Sequence, residues 1–214
     1  MAIRVVVIDV YNTLVGAPDR TPYYEQVFVD LGVPRERIYP AVRDLIMCRQ
    51  TDSLEQAGQI FLEHFSVDRA GHPQAIRKYM AESRRWSDTV VWLPGARELL
   101  YWLKYHTACW VVLMTNISSG GLESLNRRLN LESTAHRCWA SCRQGRVKRP
   151  EDPECWQEIE GWYPGVAPNE FAMIGDKADD DLEVPKALGW QTFLAQPDGS
   201  SIPALRQYLA ERVR

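Results

Sequence analysis

The sequence predicts an α/β fold: a Rossmann-like parallel sheet with helices on both faces, plus an inserted small α-helical cap. Three observations carry that prediction. Apolar runs at residues 5–8, 110–114 and 171–174 end in polar residues, namely Asp9, Thr115-Asn116 and Gly175-Asp176. Segments with helical periodicity alternate with these runs, and such alternation implies parallel strands joined by crossover helices. About a hundred residues separate the first run from the second, far more than one crossover helix requires.

Residues 5–8 read Val-Val-Val-Ile, four β-branched side chains in a row. A run without polar alternation reads as a strand buried on both faces at the centre of a parallel sheet. Ligands of such sheets bind outside the carboxyl ends of the strands, so Asp9 is expected to face a ligand crevice. Taken alone, the same pattern also describes an Asp that merely ends a strand in a turn. Thr115 and Asn116 add a hydroxyl and an amide, both able to hydrogen-bond an anion.

Within the insertion, Tyr24, Val27, Phe28 and Leu31 recur at helical spacing. So do Ile38, Val42, Leu45 and Ile46, then Leu54, Phe61 and Phe65, then Ile76, Tyr79 and Met80. Gly32-Val33-Pro34, Thr51-Asp52-Ser53 and Gly71-His72-Pro73 punctuate them. This predicts a small helical bundle over residues 17–90, inserted into a core formed by residues 1–16 and 91–214. The core resumes with a helix from Gly95 to Tyr105 that uses Leu99, Leu100 and Leu103. Ser118-Ser119 can cap a following helix with Leu122, Leu125 and Leu129. A strand near Thr192-Phe193-Leu194 and a last helix with Leu205 and Leu209 complete the series. Trp86, Trp92, Trp102 and Trp110 fall where the insertion rejoins the core and are expected to pack there.

A chain of 214 residues, 45% hydrophobic and 25% charged, has the composition of an ordinary soluble protein. Its net charge of −3 gives no electrostatic argument for nucleic acid. No stretch approaches the roughly 20 apolar residues that span a bilayer. The first apolar run is too short for a signal peptide, so a cytoplasmic protein with neither membrane nor nucleic-acid partner is expected, as monomer or homodimer. Five cysteines, an odd number, point to free thiols. His136, Cys138, Cys142 and Cys155 lack the Cys-x-x-Cys pairing of structural zinc sites.

Four segments combine in order: Asp9-Val10-Tyr11-Asn12-Thr13-Leu14, Thr115-Asn116, Lys148 in the basic stretch 143–149, and Gly175-Asp176 running into Lys177-Ala178-Asp179-Asp180-Asp181. Together they resemble the haloacid dehalogenase superfamily of aspartate-nucleophile hydrolases. Its pattern is Asp-x-Asp-x-Thr after a first strand, a Thr or Ser after a second, a Lys, and an acidic pair such as Gly-Asp-x-x-x-x-Asp. The resemblance spans nearly the whole chain, since residues 93–100 also look like the segment before the family's second motif.

What the resemblance implies is specific. Asp9 would be the nucleophile, with Thr13 in the same motif. Thr115 would hydrogen-bond the transferring group, and Lys148 would neutralise it. Magnesium would be held by an Asp9 carboxylate oxygen, the Tyr11 carbonyl and Asp176, with waters held by Asp181 or Asp180. The helical insertion would be a cap, and the substrate a small anionic molecule. Tyr11, Asn12 and Asn116 are expected to contact it. Arg20, Arg43 and Arg49 of the insertion are further candidates to meet an anion, although arginines on helices are commonly surface charges. Lys177, beside Asp176, is an alternative to Lys148, because Arg149 intervenes before the Pro that usually follows the family's Lys. Asp179 and Asp180 also suit the solvated start of a helix, where the dipole favours negative charge.

Residue 11 departs from the phosphatase pattern, which has a second Asp there to protonate the leaving alkoxide and activate water. A phenol of pKa about 10 is a poor proton relay beside a carboxyl of about 4. Tyr at this position is what the 2-haloacid dehalogenases of the superfamily carry, and Thr115-Asn116 matches their Ser-Asn segment, whose amide helps hold the halide. Those enzymes need no metal and lack the acidic residue present here as Asp176. Three expectations therefore stand: a magnesium-dependent phosphohydrolase of a small phosphorylated metabolite, a dehalogenase-type hydrolase, and a non-catalytic binding protein of the same fold.

Overall fold

Strand β1 (Val5–Asp9) is apolar on both sides until its last residue, and it occupies the middle of a five-stranded parallel sheet. Its neighbours are β4 (Trp110–Thr115) and β6 (Phe171–Gly175), with β5 (Arg137–Ala140) and β7 (Gln191–Leu194) at the edges, in the order β5-β4-β1-β6-β7. The computed structural model describes residues 2–19, 21–67, 71–150 and 152–213; Arg20, a candidate anion ligand, lies outside the described residues.

Side chains alternate across a strand, so each face of the sheet has its own core. Val6 and Ile8 pack with Val111, Leu113 and Ile174 under α5 (Ala96–His106), α6 (Ser119–Leu129) and α10 (Ile202–Ala210). Val5 and Val7 pack with Val112, Met114 and Met173 under α8 (Glu154–Gly161) and α9 (Glu183–Ala187). The short α7 (Ser141–Gln144) follows β5. The helices thus cover both faces, as alternation of elements predicts. No helix among the described residues is long and apolar enough to cross a membrane. All five cysteines are free.

A two-stranded antiparallel ribbon, β2 (Val15–Gly16) and β3 (Val91–Trp92), brings together the two chain segments flanking the insertion. Between them run α1 (Tyr24–Val29), α2 (Arg35–Val42), a π-helical turn Arg43–Met47, α3 (Leu54–His64) and α4 (His72–Thr89). These helices enclose an apolar cluster of their own, centred on Phe28, Ile38, Ile46 and Phe61. Ser53 caps α3 by accepting from the Gln56 N–H, and Ser118 caps α6 by accepting from the Gly121 N–H. Each satisfies one of the orphan donors at a helix start.

Two features differ from expectation. Strand β5 has no clear sequence signal, because Arg-Cys-Trp-Ala contains no β-branched residue and only its last two side chains are buried. Of the four tryptophans expected to pack at the junction, Trp86, Trp92 and Trp102 are partly buried against the core, but Trp110 is 49% exposed. Trp110 opens β4 at the amino edge of the sheet, where it meets His136 and Tyr163 instead. The fully buried tryptophans are Trp139 and Trp156.

Candidate active site

Parallel register sets the carboxyl ends of three strands side by side. Asp9 lies opposite Met114, and Ile8 opposite Ile174, so Thr115 and Asp176 follow at the same edge of the sheet. Beyond β1 the chain turns back sharply. Asn12 adopts a left-handed backbone, φ 56°, which Asn tolerates better than most residues. The Asn12 N–H then reaches the Val15 carbonyl at 2.7 Å, and the Thr13 hydroxyl donates to Asp9 Oδ2 at 3.3 Å.

Lys148 crosses from the loop after α7 and inserts its ammonium between carboxylates. Its Nζ donates to Asp9 Oδ1 at 2.6 Å and to Asp181 Oδ1. Asp9, Lys148 and Asp181 are 7%, 4% and 2% exposed. Lys177, the alternative lysine, points elsewhere: its Nζ pairs with Asp180 and lies over the Tyr39 ring. Asp180 is therefore turned to Lys177, and of the two carboxylates expected to hold waters only Asp181 joins the cluster. The Lys177 N–H donates to Asp181 Oδ2 at 3.1 Å. Gly175 makes room for this, since a Cβ there would collide with the Asp181 side chain. Asp179 accepts from the Asp180 N–H at the solvated start of the turn, the structural role anticipated for it.

Charge is unbalanced within this cluster. Asp9, Asp176 and Asp181 bring carboxylate oxygens within 4.8 Å of one another, around a single ammonium. Burial raises the Asp9 carboxyl from its ordinary 3.8 to about 7; Asp181 and Asp176 push the same way and Lys148 opposes them. Burial and then Asp181 also raise Asp176. Burial alone would lower the Lys148 ammonium, but Asp9 and Asp181 outweigh it and raise it. Fully ionised, the four groups carry a net charge of −2. An oxygen-only donor set with two surplus negative charges fits a hard divalent cation such as magnesium. It is the one such group of potential ligands among the described residues.

Thr115 is buried at the strand end. Tyr11 stacks on Trp86 with centroids 5.7 Å apart and planes at 22°, and burial pushes its phenol well above 10. Asn116 is committed differently from expectation: its Oδ1 accepts from the Lys148 N–H at 2.7 Å and its Nδ2 donates to the Lys148 carbonyl at 3.1 Å. Both ends of the amide thus grip the backbone of Lys148. Arg43 pairs with Asp44, which also receives Arg149 at 3.0 Å, linking the insertion to the residue after Lys148.

A cavity of about 670 Å³ lies between the helical insertion and the core. Tyr11, Asn12, Asn116 and Lys177 form its core wall, and Tyr24, Tyr79 and Trp86 face them from the insertion. Asp9 is not itself in the wall, but Tyr11 and Asn12 follow it within three residues. Neither Arg43 nor Arg49 lines the cavity; its cations among the described residues are Arg84, Arg127 and Lys177. Trp86 was legible only as a junction residue. The Asp44–Arg149 link joins residues 105 apart in sequence and has no local signal at all.

A family model for haloacid dehalogenase-like hydrolases matches residues 3–189. Among solved structures, the chain is similar to a predicted HAD-like family hydrolase from Porphyromonas gingivalis, at TM-score 0.69 and 18% identity over 98% of each chain. It is also similar to a HAD family enzyme from Bacteroides thetaiotaomicron in complex with magnesium and inorganic phosphate: TM-score 0.58, 18% identity, 91% of this chain and 95% of that one. A predicted phosphoglycolate phosphatase from Haemophilus somnus aligns at TM-score 0.60 and 14% identity, over 89% and 84%. At these identities the likeness shows a shared fold. No curated protein matches the chain.

Proposed function

Since the chain belongs to the haloacid dehalogenase-like hydrolases, we propose that it is a magnesium-dependent phosphohydrolase of a small phosphorylated metabolite, with Asp9 as nucleophile. The observation that carries this reading is the surplus of negative charge where Asp9, Asp176 and Asp181 surround Lys148. Two buried carboxylates and a half-buried third with one ammonium are costly unless a further cation is present. The Bacteroides enzyme of similar fold, found with magnesium and phosphate, supports the same choice.

In this reading Asp9 Oδ2, the oxygen not held by Lys148, attacks phosphorus and forms an acyl phosphate, splitting a hard hydrolysis into two steps. Lys148 keeps the carboxylate oriented and offsets the charge of the entering phosphate, and the Thr115 hydroxyl donates to a phosphoryl oxygen. Asn116 holds Lys148 in register through its backbone. Asp9, Asp176 and the Tyr11 carbonyl would bind magnesium, with Asp181 behind them; when bound, the ion neutralises phosphate and carboxylates together. Residues 17–90 act as a cap over the site, and residues 1–16 and 91–214 as the catalytic core.

Tyr11 favours a second reading, a 2-haloacid dehalogenase, because a halide leaves without a proton. One experiment separates them. Release of p-nitrophenol from p-nitrophenyl phosphate is measured with and without magnesium, with Asp9→Asn as control. Turnover that requires both magnesium and Asp9 is expected. Its absence, together with halide release from 2-chloropropionate, would establish the dehalogenase instead.

A further inference from the structure

We propose that the substrate is an aryl phosphate, a phosphomonoester whose leaving group is a phenol held in the aromatic part of the cavity beside Tyr11. The inference rests on the phosphohydrolase reading and adds the identity of the leaving group to it. Two independent observations lead to it.

The first is chemical. An alkoxide leaves phosphorus only with a proton supplied, and the residue two places after Asp9 that lines the cavity is Tyr11, whose phenol is a far poorer proton donor than a carboxyl. A phenol of pKa about 10 leaves as phenolate and needs no such help. Asp9 attacks phosphorus, the phosphorus–oxygen bond to the ring breaks, and its electron pair departs with the phenolate, which takes a proton from solvent. Water then attacks the same phosphorus and breaks its bond to Asp9. Inorganic phosphate leaves, the carboxylate returns, and the second proton of the water passes to solvent.

The second is the shape and lining of the cavity. Its 670 Å³ is far more than phosphate or a two-carbon acid fills and lies within the range usual for sites that enclose a larger organic ligand. Next to Tyr11 the wall is aromatic. Trp86 stacks on Tyr11 and is fixed there by its Nε1–H, which donates to the Asp19 carbonyl at 3.2 Å. Tyr24 and Tyr79, edge to face at 5.7 Å, complete that wall from the insertion. Planar rings pack favourably by stacking or edge contact against such surfaces. Towards α4 and α6 the lining turns polar, with Arg84, Asp88, Glu123 and Arg127, so the ring bears a polar substituent away from its ester oxygen.

Three substrates isolate the two ideas, each assayed with magnesium and with Asp9→Asn as control. Phenyl phosphate has both ring and good leaving group, acetyl phosphate has the leaving group alone, and benzyl phosphate has the ring with an alkoxide leaving group. The expected order of kcat/KM places phenyl phosphate about tenfold or more above acetyl phosphate. Benzyl phosphate should inhibit competitively without measurable turnover. Trp86→Ala should lower the phenyl-to-acetyl ratio about tenfold, mostly through KM, and Trp86→Phe should restore it. Acetyl phosphate equalling phenyl phosphate, or benzyl phosphate being hydrolysed as readily, overturns the aryl assignment while leaving a phosphohydrolase. No turnover of any of the three removes both readings.

Discussion

Tyr11 sits two residues beyond the proposed nucleophile, where it can act in neither direction as a proton relay. Its phenol stacks on Trp86, partly buried, and is held neutral, so it neither protonates a departing alkoxide nor deprotonates water. In the proposed mechanism the same deficit would also slow the second half of the reaction, the hydrolysis of phosphorylated Asp9. With p-nitrophenyl phosphate we expect a burst of about one p-nitrophenol per enzyme, then a slow steady state, readable by rapid mixing. Tyr11→Asp should abolish the burst and raise the steady rate by about 10² to 10⁴, the usual worth of general acid-base catalysis. An unchanged steady rate would show that breakdown of the intermediate does not limit turnover. Asp9 was legible in the sequence because it ends an apolar run, whereas Thr13 and Lys148 were legible only through the order of motifs that the resemblance supplies. The commitment of Asn116 to Lys148 was not, because it joins two loops 32 residues apart and an amide beside a strand end suits an anion equally well.

Strand ends and the turns that follow them fix the site, and the tightest of these is β6. Gly175 closes the strand, and the π-helical turn Ala178–Leu182 folds back so that Asp181 occupies the space a side chain at 175 would need. This explains a glycine there without appeal to backbone freedom. Gly175→Ala should destabilise the fold by about 1–3 kcal/mol through overpacking. The same change in an Asp181→Ala background should cost clearly less, since the two side chains compete for one space. Chemical denaturation of the four proteins in that cycle gives the coupling; strictly additive effects would mean that the chain relaxes elsewhere. Long apolar strands and amphipathic helices were legible from periodicity. Strand β5 was not, because its pairing with β4 is set by tertiary burial of Trp139 and Ala140 and leaves no pattern in four residues.

Across the whole molecule, folding gathers Asp9, Lys148, Asp176 and Asp181 from three separated stretches of chain into one desolvated cluster. The unfolded chain leaves these carboxylates apart and hydrated. Asp9 consequently binds its proton more tightly when folded, at about 7 against an ordinary 3.8. Stability linked to that proton is fully present below about pH 3.8 and is lost as pH rises through about 7. A divalent cation bound by the same oxygens replaces the lost proton, so magnesium should stabilise the protein more at high pH, where no proton competes for Asp9. At magnesium about 100 times its Kd, the gain is about 2.7 kcal/mol. For a chain of this size that is roughly 5–10 °C in Tm. Thermal melts at pH 5.5 and pH 8, with and without magnesium, measure both terms, and Asp9→Asn should make the magnesium gain smaller and nearly independent of pH. If the wild-type gain were the same at both pH values, Asp9 would not be among the ligands, and the charge argument for a metal-assisted phosphohydrolase would lose its main support.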